Sequence, residues 1–317
     1  MKKTNSTILV SGIKSAMFSF LVCLLSVVFS SVLYSDVPTA EFLRINPSAA
    51  ASSLGGAYSG YTGSVDSIYV NPAGLVSIDS SQLSTTYIAY LQDIDLAGIA
   101  YARPFGKNIF GMSIVYLGVS GIDVIDNAGA HDGTAKASNY AIGISWSREI
   151  LGLGIGASIK EVHQDYDGSV SDGFACDVGA VYGISDITLG LALQNIGPDI
   201  DGQKLPATAR LGAVYPLPKI PVKTLLELEK PVYSDFKFKA GAEYEFVEKL
   251  CVRAGYEYLK KTGDYSGISA GLGFQTDIKD GFMTDTENNK LRVAIDYAFS
   301  YFGELGNSHK ISLGMKF

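Results

Sequence analysis

The side chains able to do chemistry in this chain are spread too thinly for catalysis. Three histidines, His131, His163 and His309, stand far apart with no ligand spacing. There is no Gly-x-Ser-x-Gly elbow and no Walker-type phosphate loop, and Gly152-Leu-Gly-Ile-Gly156 reads as a strand rather than a nucleotide cradle. Ester hydrolysis would need serine, histidine and an acid within hydrogen-bond reach, which nothing here arranges. The chain reads as a non-enzyme with no metal and no cofactor. Arginine is the more informative residue. Arg44, Arg210, Arg253 and Arg292 carry planar forks that hold carboxylates through two bonds, the chemistry needed for the acid head of an amphipathic ligand. The competing reading pairs them with Asp177, Glu243, Glu257 or Asp296, because unpaired charge in a confined interior is costly. In Asn71-Pro72-Ala73-Gly74 the proline fixes φ and the asparagine bonds its own backbone, so these residues shape a turn sooner than they touch a ligand.

Such arginines need a wall that points them inward, and residues 82–317 supply one. About ten alternating residues and a short polar connection recur there. Fourteen such strands are expected to begin near residues 82, 94, 108, 138, 151, 173, 186, 205, 222, 236, 249, 265, 289 and 308. Tyr140, Ile142, Ile144 and Trp146 alternate with Ala141, Gly143, Ser145 and Ser147; Leu151, Leu153, Ile155, Ala157 and Ile159 alternate with glycines, Ser158 and Lys160. Phe236, Phe238, Ala240, Ala242, Tyr244 and Phe246 oppose Lys237, Lys239, Gly241, Glu243 and Glu245. A β-sandwich would turn the apolar face into a core and would not need a glycine-rich opposite face. A closed barrel in lipid explains both faces, with oily side chains outward and small or paired charged ones in the lumen. In this register Cys176 faces lipid and Cys251 the lumen, so they do not pair. Tyr90, Tyr116, Tyr182, Tyr215 and Tyr258 suit interfacial girdles.

The expected fold is therefore all-β, a transmembrane antiparallel barrel of about 14 strands over residues 81–317, with an N-terminal hatch inside the lumen over residues 36–80. The hatch segment does not alternate, and its Ala-Ser-Gly run at 48–58 suits a short helix that packs closely. Two connections, 120–136 and 277–289, look long and are expected on the outer side. The turns at 105–108 and 183–186 are expected on the periplasmic side. Residues 1–35 have Lys2, Lys3 and Lys14, an apolar run at 16–33 and a small residue, Ser35, the layout of a signal peptide. Without that segment 22 basic residues face 32 acidic ones, which argues against a nucleic-acid partner. The last run alternates Ile311, Leu313, Met315 and Phe317 with polar residues, and a terminal aromatic is similar to the signal read by the barrel-assembly machinery of the bacterial outer membrane.

The opening of the mature chain resembles a known family. Phe42-Leu-Arg-Ile-Asn-Pro-Ser-Ala, Leu54-Gly-Gly-Ala57 and Asp66-Ser-Ile-Tyr-Val-Asn-Pro-Ala-Gly-Leu75 resemble the opening signature of the PorV/PorQ proteins, relatives of the FadL-type outer-membrane transporters of long-chain fatty acids. Asn71-Pro72-Ala73 is similar to the FadL hatch motif, and Leu193-Gln-Asn-Ile-Gly197, Leu205-Pro206, Arg210-Leu-Gly212 and Val252-Arg-Ala-Gly-Tyr256 are similar to later PorV motifs. The resemblance implies a hatch-plugged barrel in the outer membrane, in contact with its lipid. One implied partner is a hydrophobic or amphipathic small molecule bound near the outer surface. The alternative is a PorV-like accessory barrel that meets secretion-system or secreted proteins. A barrel with no transport role is the third reading.

Overall fold

The computed structural model describes residues 38–89, 94–125, 129, 131–247, 249–259, 267–278, 291–303 and 306–317. The expected signal peptide, Tyr90 and most of the 277–289 connection lie outside the described residues. Fourteen strands are present among the described residues: β1 (Gln82–Ala89), β2 (Ile94–Phe105), β3 (Asn108–Ile125), β4 (His131–Ile150), β5 (Leu153–Tyr166), β6 (Ser169–Ile184), β7 (Ile187–Ile196), β8 (Thr208–Pro216), β9 (Val222–Pro231), β10 (Lys237–Val247), β11 (Leu250–Leu259), β12 (Gly267–Ile278), β13 (Leu291–Tyr301) and β14 (Asn307–Lys316). Each pairs antiparallel with its neighbours in sequence, and β1 pairs with β14 from Gln82 opposite Lys316 to Ala89 opposite His309, which closes the barrel. Closure removes the sheet edges that hydrocarbon cannot satisfy.

The alternation read from the sequence sorts the side chains as a membrane demands. Ile144, Ile159, Phe238, Phe246, Leu272 and Ile295 are exposed on the outer face, while Ser145, Ser158, Lys239, Glu243 and Ala298 are buried on the inner one. At about 3.3 Å per residue, the run from Phe236 to Phe246 is about 33 Å long, and a tilt near 40° reduces it to about 25 Å, the height of a barrel's apolar band. This is a membrane-spanning barrel of the outer-membrane type. Cys176 is exposed on the outer face, Cys251 is half-buried near Arg253, and both are free thiols.

Three expectations about connections are corrected. Residues 120–136 are not a polar loop, because β3 and β4 continue through most of them as a paired hairpin, Ile122 opposite Ala135 and Ile125 opposite His131, after a bulge past Val119. Polar residues there stay in strand because the ladder satisfies their backbone; the loss of alternation marks departure from lipid. Leu151 and Gly152 form a two-residue turn with φ of 55° and 82° instead of opening β5, the positive-φ pair that tight hairpins need. The third correction follows from parity. β12 ends and β13 begins at the end of the barrel where β1 starts and β14 stops, since Ile278 faces Leu291 and Arg292 faces Lys316. The described ends that flank the connection thus lie at that base, with the 105–108 and 183–186 turns, and not at the opposite rim.

Residues 38–80 contain no strand and run down the lumen. A 3-10 turn (Glu41–Arg44) is followed by a helix, α1 (Ala49–Ser53), and two more 3-10 turns, Val65–Tyr69 and Pro72–Ser77. Ser48 caps α1 by accepting the Ala51 N–H at 3.1 Å, and Asn71 caps the last turn by accepting the Ala73 N–H at 3.0 Å, with Pro72 at the first helical position. The segment packs in three places: Phe42 under the rim, Leu54 and Tyr58 at mid-height against Leu225, and Val65, Ile68 and Leu75 near the base against Ala100, Ala102 and Ile109.

Candidate functional site

The small residues of the inner wall are there because the hatch backbone lies against them. A β-carbon on Gly156 would overlap the peptide between Pro72 and Ala73, one on Gly179 would overlap Asn71 Oδ1, and one on Gly190 would overlap Ser59 O. Asn71 is the hub of this contact. Its Nδ2 donates to Ser59 O at 2.7 Å within the hatch and to Ala180 O at 3.2 Å in β6, and its side chain is fully buried. Pro72, Ala73 and Gly74 follow it down the wall of β4 to β6 and are buried with it. The quartet opens the 3-10 turn Pro72–Ser77, and all four of its residues are buried.

The arginines divide. Arg210 reaches Glu227 at 2.8 Å and Glu229 at 2.7 Å, and Glu229 goes on to Lys239 at 2.5 Å and Lys239 to Glu257 at 3.2 Å. Arg253 holds Glu243 at 2.7 Å and Asp296 at 2.5 Å, and Glu243 also takes Lys223 at 2.9 Å. Lys160 pairs with Asp177 at 2.8 Å. These pairs lie on the inner face of β5, β6, β8 to β11 and β13, and Glu227 extends them to the hatch by accepting the N–H groups of Tyr58 and Ser59. Arg44 pairs with Glu41 at 2.9 Å within one turn, and Arg292 with Asp277 at 2.8 Å, half exposed at the base. The four arginines are thus not brought together, and each has a carboxylate partner already. Burial holds the phenol of Tyr61 up to about 12, with the Glu243 carboxylate adding to it, so its hydroxyl stays a donor to Glu243 at 3.3 Å.

An apolar basin at the rim is the part of the lumen suited to a ligand. Ile88, Leu96, Leu117, Ala141, Val162 and Ala175, one inward residue from each of β1 to β6, form one buried cluster with Ile200 and Leu205 from the 197–207 connection. The ring of Phe42 occupies it, with Leu43 and Ile45 at its border. The segment is tied in place by Thr39, whose N–H donates to Lys204 O at 3.0 Å and whose Oγ1 donates to Gln164 Oε1 at 2.9 Å. Sequence reasoning missed this basin. The signal was present as an inversion of the two faces: at Asp95-Leu96 and Val162-His163 the outward residue is polar and the inward one apolar, because the outer face has left the hydrocarbon there while the lumen has turned greasy.

No family model and no curated protein matches the chain. Solved structures do. The Pseudomonas putida toluene transporter TodX aligns with a TM-score of 0.54 at 13% identity, over 84% of this chain and 96% of TodX. A Pseudomonas aeruginosa FadL homologue aligns at 0.58 and 12%, over 85% and 97%, and the Ralstonia pickettii toluene transporter TbuX at 0.55 and 14%, over 86% and 97%. At such identities the likeness is one of fold: the chain has the closed fourteen-strand barrel architecture that these transporters share.

Proposed function

We propose that this protein is an outer-membrane channel that admits hydrophobic or amphipathic small molecules, with residues 36–80 as its hatch once residues 1–35 have been removed as a signal peptide. The observation that carries the reading is the apolar basin inside the rim. A lumen lined only for water and ions has no use for Ile88, Leu96, Leu117 and Val162 facing inward, whereas a hydrophobic solute gains about 25 cal/mol for each Å² of its surface they cover. The fold shared with two toluene transporters and a FadL homologue supports the same class of cargo, and the FadL-like Asn71-Pro72-Ala73 seat supports a hatch that holds while its upper end yields. Membrane lipid surrounds the barrel, and the arginines serve the wall instead of the ligand.

The test is uptake. Deleting the gene is expected to slow entry of labelled hydrophobic solutes such as toluene, and Phe42→Ala, which empties the basin, to increase binding of a hydrophobic probe to the purified barrel. Normal uptake in the deletion strain would refute the proposal. The PorV-like opening motifs and the β3–β4 hairpin, which continues past the last pairing with β2 at Val119, favour a second reading as an accessory barrel for secreted proteins. Its signature is a depleted secreted proteome with uptake intact.

A further inference from the structure

We infer that the ligand taken by the rim basin carries a neutral hydroxyl, as a phenol or an aliphatic alcohol does, and that Asn139 Oδ1 accepts its proton. The inference rests on the basin being the ligand site. Asn139 stands on the inner face of β4, directly across from Leu117 on β3 and Gln164 on β5, two residues above Ala141 of the basin. It is 3% exposed, and its Oδ1 has no hydrogen-bond partner among the described residues, while its Nδ2 donates to the Tyr166 hydroxyl at 3.4 Å. A buried acceptor left empty beside an apolar basin is matched by a donor that enters with an apolar body.

The hatch shows what shape of molecule the site accepts. Within four residues of chain it presents a hydroxyl, Thr39 Oγ1, which donates to the amide of Gln164, and an aromatic ring, Phe42, which fills the basin. A hydroxyl joined to an apolar body is therefore what the site already holds, and a phenol offers both in one molecule. A carboxylate is disfavoured. The cations beside the basin include Arg44, in the same turn as Phe42, Lys160, two residues below Val162, and Lys310, directly across from Ile88; Arg44 is committed to Glu41, Lys160 to Asp177 and, at 2.6 Å, to Asn195, and Lys310 donates to Asn46 O at 2.8 Å and Ser52 Oγ at 2.7 Å. An acid head would have to strip a cation from its partner, whereas a hydroxyl needs only the empty oxygen.

The test compares three matched probes on the full-length barrel purified in detergent: 4-butylphenol, its methyl ether 4-butylanisole, and 4-butylbenzoate, each measured by equilibrium dialysis against detergent alone. The phenol is expected to bind about tenfold more tightly than the ether, which has the same body but no proton to give, the factor for one net hydrogen bond. The benzoate is expected to bind most weakly. Asn139→Leu, close in volume, is expected to reduce the phenol-to-ether ratio to about one. Equal binding of phenol and ether to the unaltered protein, a benzoate that binds best, or an unchanged ratio in Asn139→Leu each overturns the inference. If none of the three binds, the basin is not a ligand site and both this inference and the underlying reading fail; if the ether binds as well as the phenol, only this inference does.

Discussion

Replacing Asn71 with alanine should unseat the lower hatch without touching any strand. The amide is the only group that joins Ser59 O, Ala180 O and Ala73 N–H, at 2.7, 3.2 and 3.0 Å, and all three lie in a dry contact between hatch and wall. Each buried backbone group left without its partner costs about 1–3 kcal/mol. Ala180 O keeps its ladder partner in the sheet, so the loss comes from Ser59 O and Ala73 N–H and is about 2–6 kcal/mol. At 1.4 kcal/mol per tenfold, a mid-range loss of about 4 kcal/mol raises the population of the displaced hatch about a thousandfold. The assay is single-channel conductance in planar bilayers, with intact β-structure verified by circular dichroism. Asn71→Ala should open to ions far more often than the unaltered barrel. A variant that stays as closed as the parent would show that the hatch is held by something other than this hub, and the proposed role of the Asn-Pro-Ala turn would fall.

Gly179→Ala should have a similar effect by the reverse route, since its β-carbon meets Asn71 Oδ1, at a cost of about 1–3 kcal/mol of overpacking; Gly183→Ala on the same strand meets nothing within 4 Å and should conduct as the parent does. Arg210→Ala leaves Glu227 and Glu229 short of a partner and should lower unfolding stability by about 3–5 kcal/mol in a denaturant titration. The carboxyl of Asp66 is held above its ordinary 3.8 by burial, with the Ser48 hydroxyl at 2.6 Å offsetting part of the rise. A raised acid binds more protons folded than unfolded, so its ionisation penalises the fold as pH climbs through the folded value, and the penalty is absent below 3.8. Asp66→Asn should therefore melt higher than the parent at neutral pH, with the gap closing on acidification; an equal gap at every pH would count against the burial argument.

The wall was legible because period-two alternation survives wherever one face meets lipid. Phe238, Tyr244 and Phe246 against Lys239 and Glu243 announce both faces of β10 without any help from the structure. Legibility failed where the membrane ended. Above Val119, with no hydrocarbon to select the outward side, the chain keeps its strand ladder but loses its pattern, and so it resembled a loop. The 277–289 connection was assigned to the wrong end because polarity and length suggested an outer loop, while the count of strands, which fixes the end, had to be trusted instead. Pairing of the arginines with Glu243 and Asp296 was one of the two readings the sequence offered, and Arg253 makes both contacts, but sequence spacing does not reveal that Glu229 on β9 lies directly across from Arg210 on β8 and from Lys237 on β10. The basin escaped notice because it is assembled from six strands at one residue each.

The hatch is two devices in one chain. Its lower part is keyed into the barrel by hollows at Gly156, Gly179 and Gly190, spread over separate staves, so it cannot slide as a cork without every key leaving its slot together. Its upper part rests on a greasy seat and a few bonds at Thr39, with no wall glycine keyed to Phe42 among the described residues. Under the proposed function, a solute arriving from the rim meets a flap, not a stopper, and cargo enters while the floor stays shut to ions.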